Sequence, residues 1–131
     1  MSKAVLVARI LLGLLFTVFG LNGFLNFLPA PEIPEGAMAF MGGLGSTGYF
    51  FLLLKITEIV GGVCLLTGMF VPLGLILLAP IIVNIAAYHL FLDQAGLPMV
   101  FGIVAMEILV AWGYRDSFTS VLNRSAKPTG S

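Results

Sequence analysis

Charged side chains are scarce in this sequence. Six Lys and Arg and six Asp and Glu make up 9% of 131 residues, and the formal net charge is zero. Soluble domains carry about 25% charged residues, whereas 60% of this chain is hydrophobic. So small a chain cannot cover that apolar surface with its own polar groups, so we expect lipid around it. The scattered basic residues also argue against a nucleic-acid interface, which needs a basic face.

Cysteine and histidine are nearly absent, and this restricts the chemistry. Cys64 is the only cysteine, which excludes an intramolecular disulfide, a CxxC redox motif and a zinc-binding cysteine cluster. We interpret it as a small packed residue. His89 is the only histidine, so haem with two His ligands from one chain is excluded, and the paired Glu-x-x-His motifs of di-iron bundles are missing. No metal site is predicted, and no phosphate loop or dinucleotide fingerprint occurs.

Long apolar stretches predict an all-α integral membrane protein, a four-helix transmembrane bundle. A membrane-spanning helix needs about 20 mostly apolar residues. Residues 1–116 would form one transmembrane domain, followed by a polar cytoplasmic tail at 117–131. The first stretch is too long for a cleavable signal peptide, so we expect it to stay as a helix that ends before Pro29. The predicted spans are about 4–28, 49–69, 72–92 and 98–114.

The distribution of charge predicts the orientation of the bundle. Cytoplasmic flanks of membrane helices are enriched in Lys and Arg. The outer loops hold acidic residues without a basic one, whereas basic residues lie at both ends of the chain. With four spans, both termini are therefore expected in the cytoplasm. The basic residues are Lys3, Arg9, Arg115, Arg124 and Lys127, and the acidic ones are Glu32, Glu35 and Asp93.

The connection between the first two spans, residues 30–48, is unusually long. Four apolar residues in it repeat at helical spacing: Ala37, Phe40, Met41 and Leu44. This pattern predicts a short amphipathic helix on the outer membrane interface. It would serve either as a lid over the bundle mouth or, more simply, as a connector resting on lipid.

Small residues lie on one stripe of each of the first two spans. Such stripes let helices approach closely in lipid and predict packing faces. The stripes are Gly13, Thr17 and Gly20 in the first span, and Thr57, Gly61, Cys64 and Gly68 in the second.

Polar side chains inside the spans are the main functional signal, because ionisable groups are costly in lipid and usually face the bundle interior. At 1.5 Å per residue, two carboxyl groups lie roughly 14 Å from the outer ends of their helices. One basic group cannot neutralise both, so one carboxyl is expected to be protonated and suited to proton exchange or to a quinone carbonyl. A structural role, with asparagines linking helices, is equally open. The predicted polar pocket comprises Glu58, Lys55, Glu107, Asn22, Asn84 and His89.

Several short runs resemble the DoxX-like family of small prokaryotic four-helix membrane proteins, over about residues 5–115. The most specific run is Glu58-x-x-Gly-Gly-x-x-Leu-Leu-x-Gly, preceded by Lys55-Ile-Thr. Arg9-Ile-Leu-Leu-Gly13 and Tyr88-His89 also match. The resemblance implies a bacterial or archaeal inner-membrane protein linked to respiratory or thiosulfate–quinone oxidoreductase complexes, or to oxidative-stress defence. It also implies that Glu58 is the characteristic acidic residue.

Together these features predict an accessory or quinone-interacting subunit of a membrane oxidoreductase system, not a catalyst by itself. Glu58 and Glu107 would bind protons or quinone, with Lys55 as their charge partner. The expected partners are the lipid bilayer, redox subunits and a second copy of the chain, and no covalent cofactor is expected. The alternatives are a small-solute or proton-coupled transporter, which would use the same pocket, and a structural membrane scaffold.

Overall fold

A computed structural model describes residues 2–28 and 32–130 of the chain. The prediction of an all-α protein is confirmed, and the described residues contain no strand. Short 3-10 turns lie at Gln94–Gly96 and Arg115–Phe118. The α-helices are α1 (Lys3–Leu25), α2 (Glu35–Ser46), α3 (Phe50–Thr67), α4 (Val71–Phe91) and α5 (Leu97–Gly113).

Four helical segments are long and apolar enough to cross a bilayer. They correspond to the four predicted spans and make this a multi-pass membrane protein. Their bounds are Lys3–Leu25, Phe50–Thr67, Val71–Phe91 and Gln94–Gly113.

The first helix ends earlier than predicted. Asn26 adopts the left-handed conformation with φ 51°, and its N–H donates to the Asn22 carbonyl at 2.9 Å. Asparagine tolerates this conformation, which ends a helix by satisfying its last carbonyls. The predicted stop at Pro29 lies outside the described residues, as do Ala30 and Pro31 at the start of the long connection.

The predicted hairpin between the second and third spans is present. Gly68, with φ 77°, ends α3, and its N–H donates to the Cys64 carbonyl at 3.1 Å. Phe70 is also left-handed, with φ 57°, and α4 begins at the next residue. These two left-handed residues, Gly68 and Phe70, reverse the direction of the chain, so α3 and α4 pack as antiparallel neighbours.

The four long helices form a ring in the order α1, α3, α4, α5. Helix α1 packs against α3 and α5, and α4 closes the ring by packing against the same two helices. Therefore α3 and α5 are diagonal to each other. The central core is aliphatic and aromatic, with Leu12, Phe16, Leu65, Leu78 and Val110 almost fully buried.

Glycines bring α1 and α3 into backbone contact. A Cβ atom added at Gly62 would lie 2.6 Å from the Thr17 nitrogen, and one at Gly13 would lie 2.8 Å from the Gly62 carbonyl oxygen. Gly20 approaches α3 in the same way, beside Ile59. The predicted stripe of α1 is thus a packing face, and Gly62, outside the predicted stripe of α3, is its partner.

Two residues of the predicted stripe of α3, Gly61 and Cys64, pack against α4 instead. A Cβ added at Gly61 would lie 2.7 Å from Cγ of Leu78, and one at Gly74 would lie 2.8 Å from Cβ of Cys64. Cys64 is half-buried in this contact with its thiol free. Small residues therefore serve two interfaces of α3, one on each side of the helix.

The predicted amphipathic helix of the outer connection is confirmed as α2. Ala37 is fully buried, and the ring of Phe40 lies 5.7 Å from that of Tyr88 on α4. The ring of Phe51 on α3 approaches Gly45. Helix α2 therefore lies beside the start of α3 and the end of α4, a position that fits both the lid and the connector.

Candidate functional site

Lys55 and Glu58 form an ion pair inside the bundle. The Lys55 Nζ lies 3.3 Å from Oε2 of Glu58, and their side chains are 27% and 6% exposed. The aliphatic part of Lys55 packs on α1, since a Cβ added at Gly23 would lie 2.5 Å from its Cγ. Such i,i+3 partners share one helix face, so the two charges neutralise each other on α3.

Glu58 points toward the bundle interior. It precedes Gly61 and Gly62 by three and four residues and therefore shares their side of α3. Gly61 meets α4 and Gly62 meets α1. Glu58 is the only buried charged residue among those that the structure describes.

Glu107 occupies a different place, between α4 and α5. Both its carboxyl oxygens are buried, each with less than 1 Å² accessible, and neither has a hydrogen-bond partner among the described residues. The side chain borders a cavity of about 300 Å³. The Lys55–Glu58 pair lies on α3, the helix diagonal to α5 in the ring. The remaining lining residues are Ala79, Ile82, Val83, Ala86 and Val104.

Asn84 borders a larger cavity, of about 540 Å³, between α3 and α4 beneath α2. The hydroxyl of Thr57 also lines it but donates to the Leu53 carbonyl at 2.8 Å. The amide of Asn84 is therefore the polar side-chain group available to a molecule in this cavity. Apart from these two, the lining is apolar: Phe40, Leu44, Phe50, Leu53, Leu54, Leu77, Pro80 and Ile81.

Asn22 and His89 hold helix ends. The Asn22 Oδ1 accepts a hydrogen bond from the Leu28 N–H at 2.8 Å. The His89 Nδ1 lies 3.1 Å from the Asp93 carbonyl oxygen, and its ring packs against Gly96. Both contacts satisfy backbone groups beyond the last helical turn.

The structure places the six predicted residues in three kinds of local setting. Two form an internal ion pair, two face different cavities on opposite sides of α4, and two stabilise helix ends. Apolar residues of α2 and α3 complete the larger cavity; the sequence pattern named Phe40 and Leu44 as part of an amphipathic helix but did not assign them to a site. Pro80 was the available signal, because a proline inside a helix removes a backbone donor and opens local space.

Arg9 also has a role that the sequence did not predict. Its Nη1 donates to the Tyr114 hydroxyl at 3.2 Å, which ties α1 to the end of α5. Its guanidinium lies against Gly68, where α3 ends. A cation beside helix C-termini is favourable because the last carbonyls carry partial negative charge.

These features define the class: a multi-pass membrane protein with a few polar groups among its four spanning helices and two open, largely apolar cavities at its helix interfaces. Among the described residues, no group of three potential metal ligands exists.

The chain belongs to the DoxX family, whose model matches residues 4–91. The match runs from the start of α1 to the end of α4, so it includes Lys55, Glu58 and Asn84 and leaves out Glu107 on α5. Comparison with curated proteins found no match, and comparison with solved structures found none either.

Proposed function

We propose that this protein is an accessory subunit of a membrane oxidoreductase system and binds a lipophilic quinone in the cavity beneath α2. Its location would be a prokaryotic cytoplasmic membrane, with both termini in the cytoplasm. The observation that carries the proposal is an apolar cavity of about 540 Å³ with one available amide, that of Asn84.

The chemistry of the cavity suits a quinone head group. Ligand pockets commonly measure about 300–1,000 Å³ and combine apolar walls with few polar groups that orient the ligand. A quinone ring is flat and apolar, and its carbonyl oxygens accept hydrogen bonds. The Asn84 amide nitrogen is a donor for one of them, while Phe40 and Phe50 supply aromatic wall. An isoprenoid tail would leave toward the surrounding lipid.

The internal ion pair lies on the neighbouring face of α3. Thr57 borders the cavity, and Glu58 follows it toward the centre of the bundle. We assign Glu58 as the group that exchanges a proton with bound quinone, with Lys55 balancing its charge. Electrons would come from a partner subunit, since one cysteine and one histidine offer few redox ligands. Basic residues at both chain ends support the orientation.

Quinone binding is tested on the full chain purified in mild detergent. Lipid extraction and mass spectrometry should recover quinone in near-stoichiometric amount, and an azido-quinone should crosslink to residues of α2, α3 or α4. Leu77→Trp, which fills the cavity, should abolish both results. Ile76→Trp, on an exposed position of the same helix, should leave them unchanged. Crosslinking that is equal in the two variants would contradict the proposal.

Transport of a small solute or of protons is the second candidate, favoured by the two carboxyls at mid-bundle, Glu58 and Glu107. Protein in liposomes should then support a flux that Glu58→Gln or Glu107→Gln abolishes. Flux without quinone binding would favour this candidate, and the absence of both would favour a structural scaffold.

A further inference from the structure

We propose that the smaller cavity, between α4 and α5, binds a lipophilic amine whose protonated amino group pairs with Glu107. This site lies on the other side of α4 from the proposed quinone cavity. It therefore goes beyond the proposed function and does not depend on it.

The first observation is the state of the Glu107 carboxyl group. Its two oxygens are buried and lack a hydrogen-bond partner among the described residues. Leaving buried polar atoms unpaired is costly, and the cost is larger for charged groups. Native structures rarely leave such groups unpaired without a reason, so these two acceptors call for a donor that the described residues do not supply.

The second observation is that the two cations in the interior of the spanning helices, Lys55 and Arg9, are engaged elsewhere; the third, Lys3, is the first residue of α1. Lys55 pairs with Glu58 on the diagonal helix α3. Arg9 donates to the hydroxyl of Tyr114, which directly follows the last residue of α5. Among the described residues, Glu107 therefore has no internal counterion, and Lys55–Glu58 is the one ion pair that the spans contain.

The chemistry of the carboxyl selects an amine over a carbonyl compound. An ammonium group carries several N–H donors and one positive charge, so it can satisfy both oxygens and neutralise a carboxylate. A ligand with only a carbonyl would need a protonated carboxyl and would leave the second oxygen unpaired. An ion pair with an ammonium group carries no net charge, so it is less costly in apolar surroundings than a carboxylate without a counterion.

The walls of the cavity define the remainder of the ligand. Apart from Glu107, all its lining side chains are aliphatic, including Ala79 and Ala86, whose small size makes the space. A volume of about 300 Å³ is near the lower end of ligand pockets. The site therefore fits a compact hydrocarbon cage or short chain bearing one amino group.

The matched probes for this site are 1-adamantylamine and 1-adamantanol, which share one hydrocarbon cage. Titration calorimetry on the full chain in detergent micelles should show the amine binding about tenfold or more tightly than the alcohol, since charge-assisted hydrogen bonds are the stronger ones. Glu107→Gln should abolish this preference. Glu58→Gln should keep the preference for the amine, because Glu58 does not line this cavity and pairs with Lys55 on α3.

A cavity-filling variant tests the site independently, in case Glu107→Gln does not fold. Ala86→Leu fills the cavity while keeping the carboxyl, and Ala87→Leu adds the same atoms at an exposed neighbouring position. The amine should bind the Ala87 variant as it binds the natural chain and should fail to bind the Ala86 variant. In parallel, 1-adamantylamine should protect Glu107 from a hydrophobic carbodiimide, read by peptide mass spectrometry.

Three results would overturn the proposal. The first is equal binding of amine and alcohol, and the second is amine binding that survives both Glu107→Gln and Ala86→Leu. The third is no binding to the natural chain, together with a crosslink from Val83→Cys to another protein's helix. That result would assign the donor to a partner protein.

Discussion

Gly62 offers the sharpest test of how this bundle is held together. A Cβ atom at this position would lie 2.6 Å from the Thr17 nitrogen and 2.9 Å from the Gly13 carbonyl oxygen. Both neighbours are backbone atoms, so a side-chain rotation cannot relieve the overlap. For Gly62→Ala, α1 and α3 must move apart by about 0.8 Å before the closest contact reaches 3.4 Å.

The expected cost follows from this displacement. Inserting extra atoms into a packed core typically costs about 1–3 kcal/mol. Alanine recovers about 0.5–1 kcal/mol through its better helix propensity. The two figures leave a net loss of about 0–2.5 kcal/mol in the free energy of unfolding. For Gly62→Ala we expect about 1–2 kcal/mol, since both overlapping neighbours are backbone atoms and the helices lose contact as they separate.

Unfolding of purified protein by a denaturing detergent measures this change, with circular dichroism reporting helix content. The thiol of Cys64 gives a second readout, because it is half-buried between α3 and α4 and should react faster with maleimide once the bundle opens. Gly102→Ala is the control, since a Cβ there meets nothing within 4 Å, and it should be neutral or slightly stabilising. If Gly62→Ala unfolds like the control, the close contact of α1 with α3 is not what stabilises the bundle.

Two further predictions concern charge. Lys55→Met should destabilise the protein by about 2 kcal/mol, because it leaves Glu58 without its partner. Adding Glu58→Gln should recover most of this loss in a double-mutant cycle. If the two effects are additive, the 3.3 Å ion pair contributes no stability. The orientation can be tested in a Cys64→Ser background with a membrane-impermeant maleimide added to intact cells. The maleimide should label Asp93→Cys and spare Ser120→Cys, because basic flanks are retained in the cytoplasm. Labelling of Ser120→Cys alone would show that the proposed orientation is inverted.

Much of the fold could be predicted because the relevant signals are local. About 20 apolar residues in a row specify a spanning helix wherever neighbours lie, because lipid leaves backbone groups no other partner. The helical spacing of Ala37 and Phe40 likewise predicted α2. The end of α1 was misplaced by a few residues, because Asn26 ends it through a left-handed turn, and an asparagine is also compatible with continuing a helix.

The grouping of the polar residues was less accessible to sequence reasoning. Depth along each helix can be counted from its rise, and that placed Glu58 and Glu107 at similar levels. Which helices are neighbours cannot be counted in this way. Helix α4 lies between the cavity that Asn84 borders and the cavity that Glu107 borders. Depth along the helices therefore does not show which polar side chains border the same cavity.

By itself, the sequence determined that this protein lies in lipid, crosses it with four helices and carries only a few costly polar groups. These properties follow from composition and from runs of neighbouring residues. The i,i+3 spacing of Lys55 and Glu58 already placed them on one helix face. Only the tertiary structure decided that Gly62 meets Gly13 and that Glu107 borders a separate cavity with no hydrogen-bond partner among the described residues. The physical reason is that pairing depends on helix order and rotation, which arise from contacts between residues far apart in the chain.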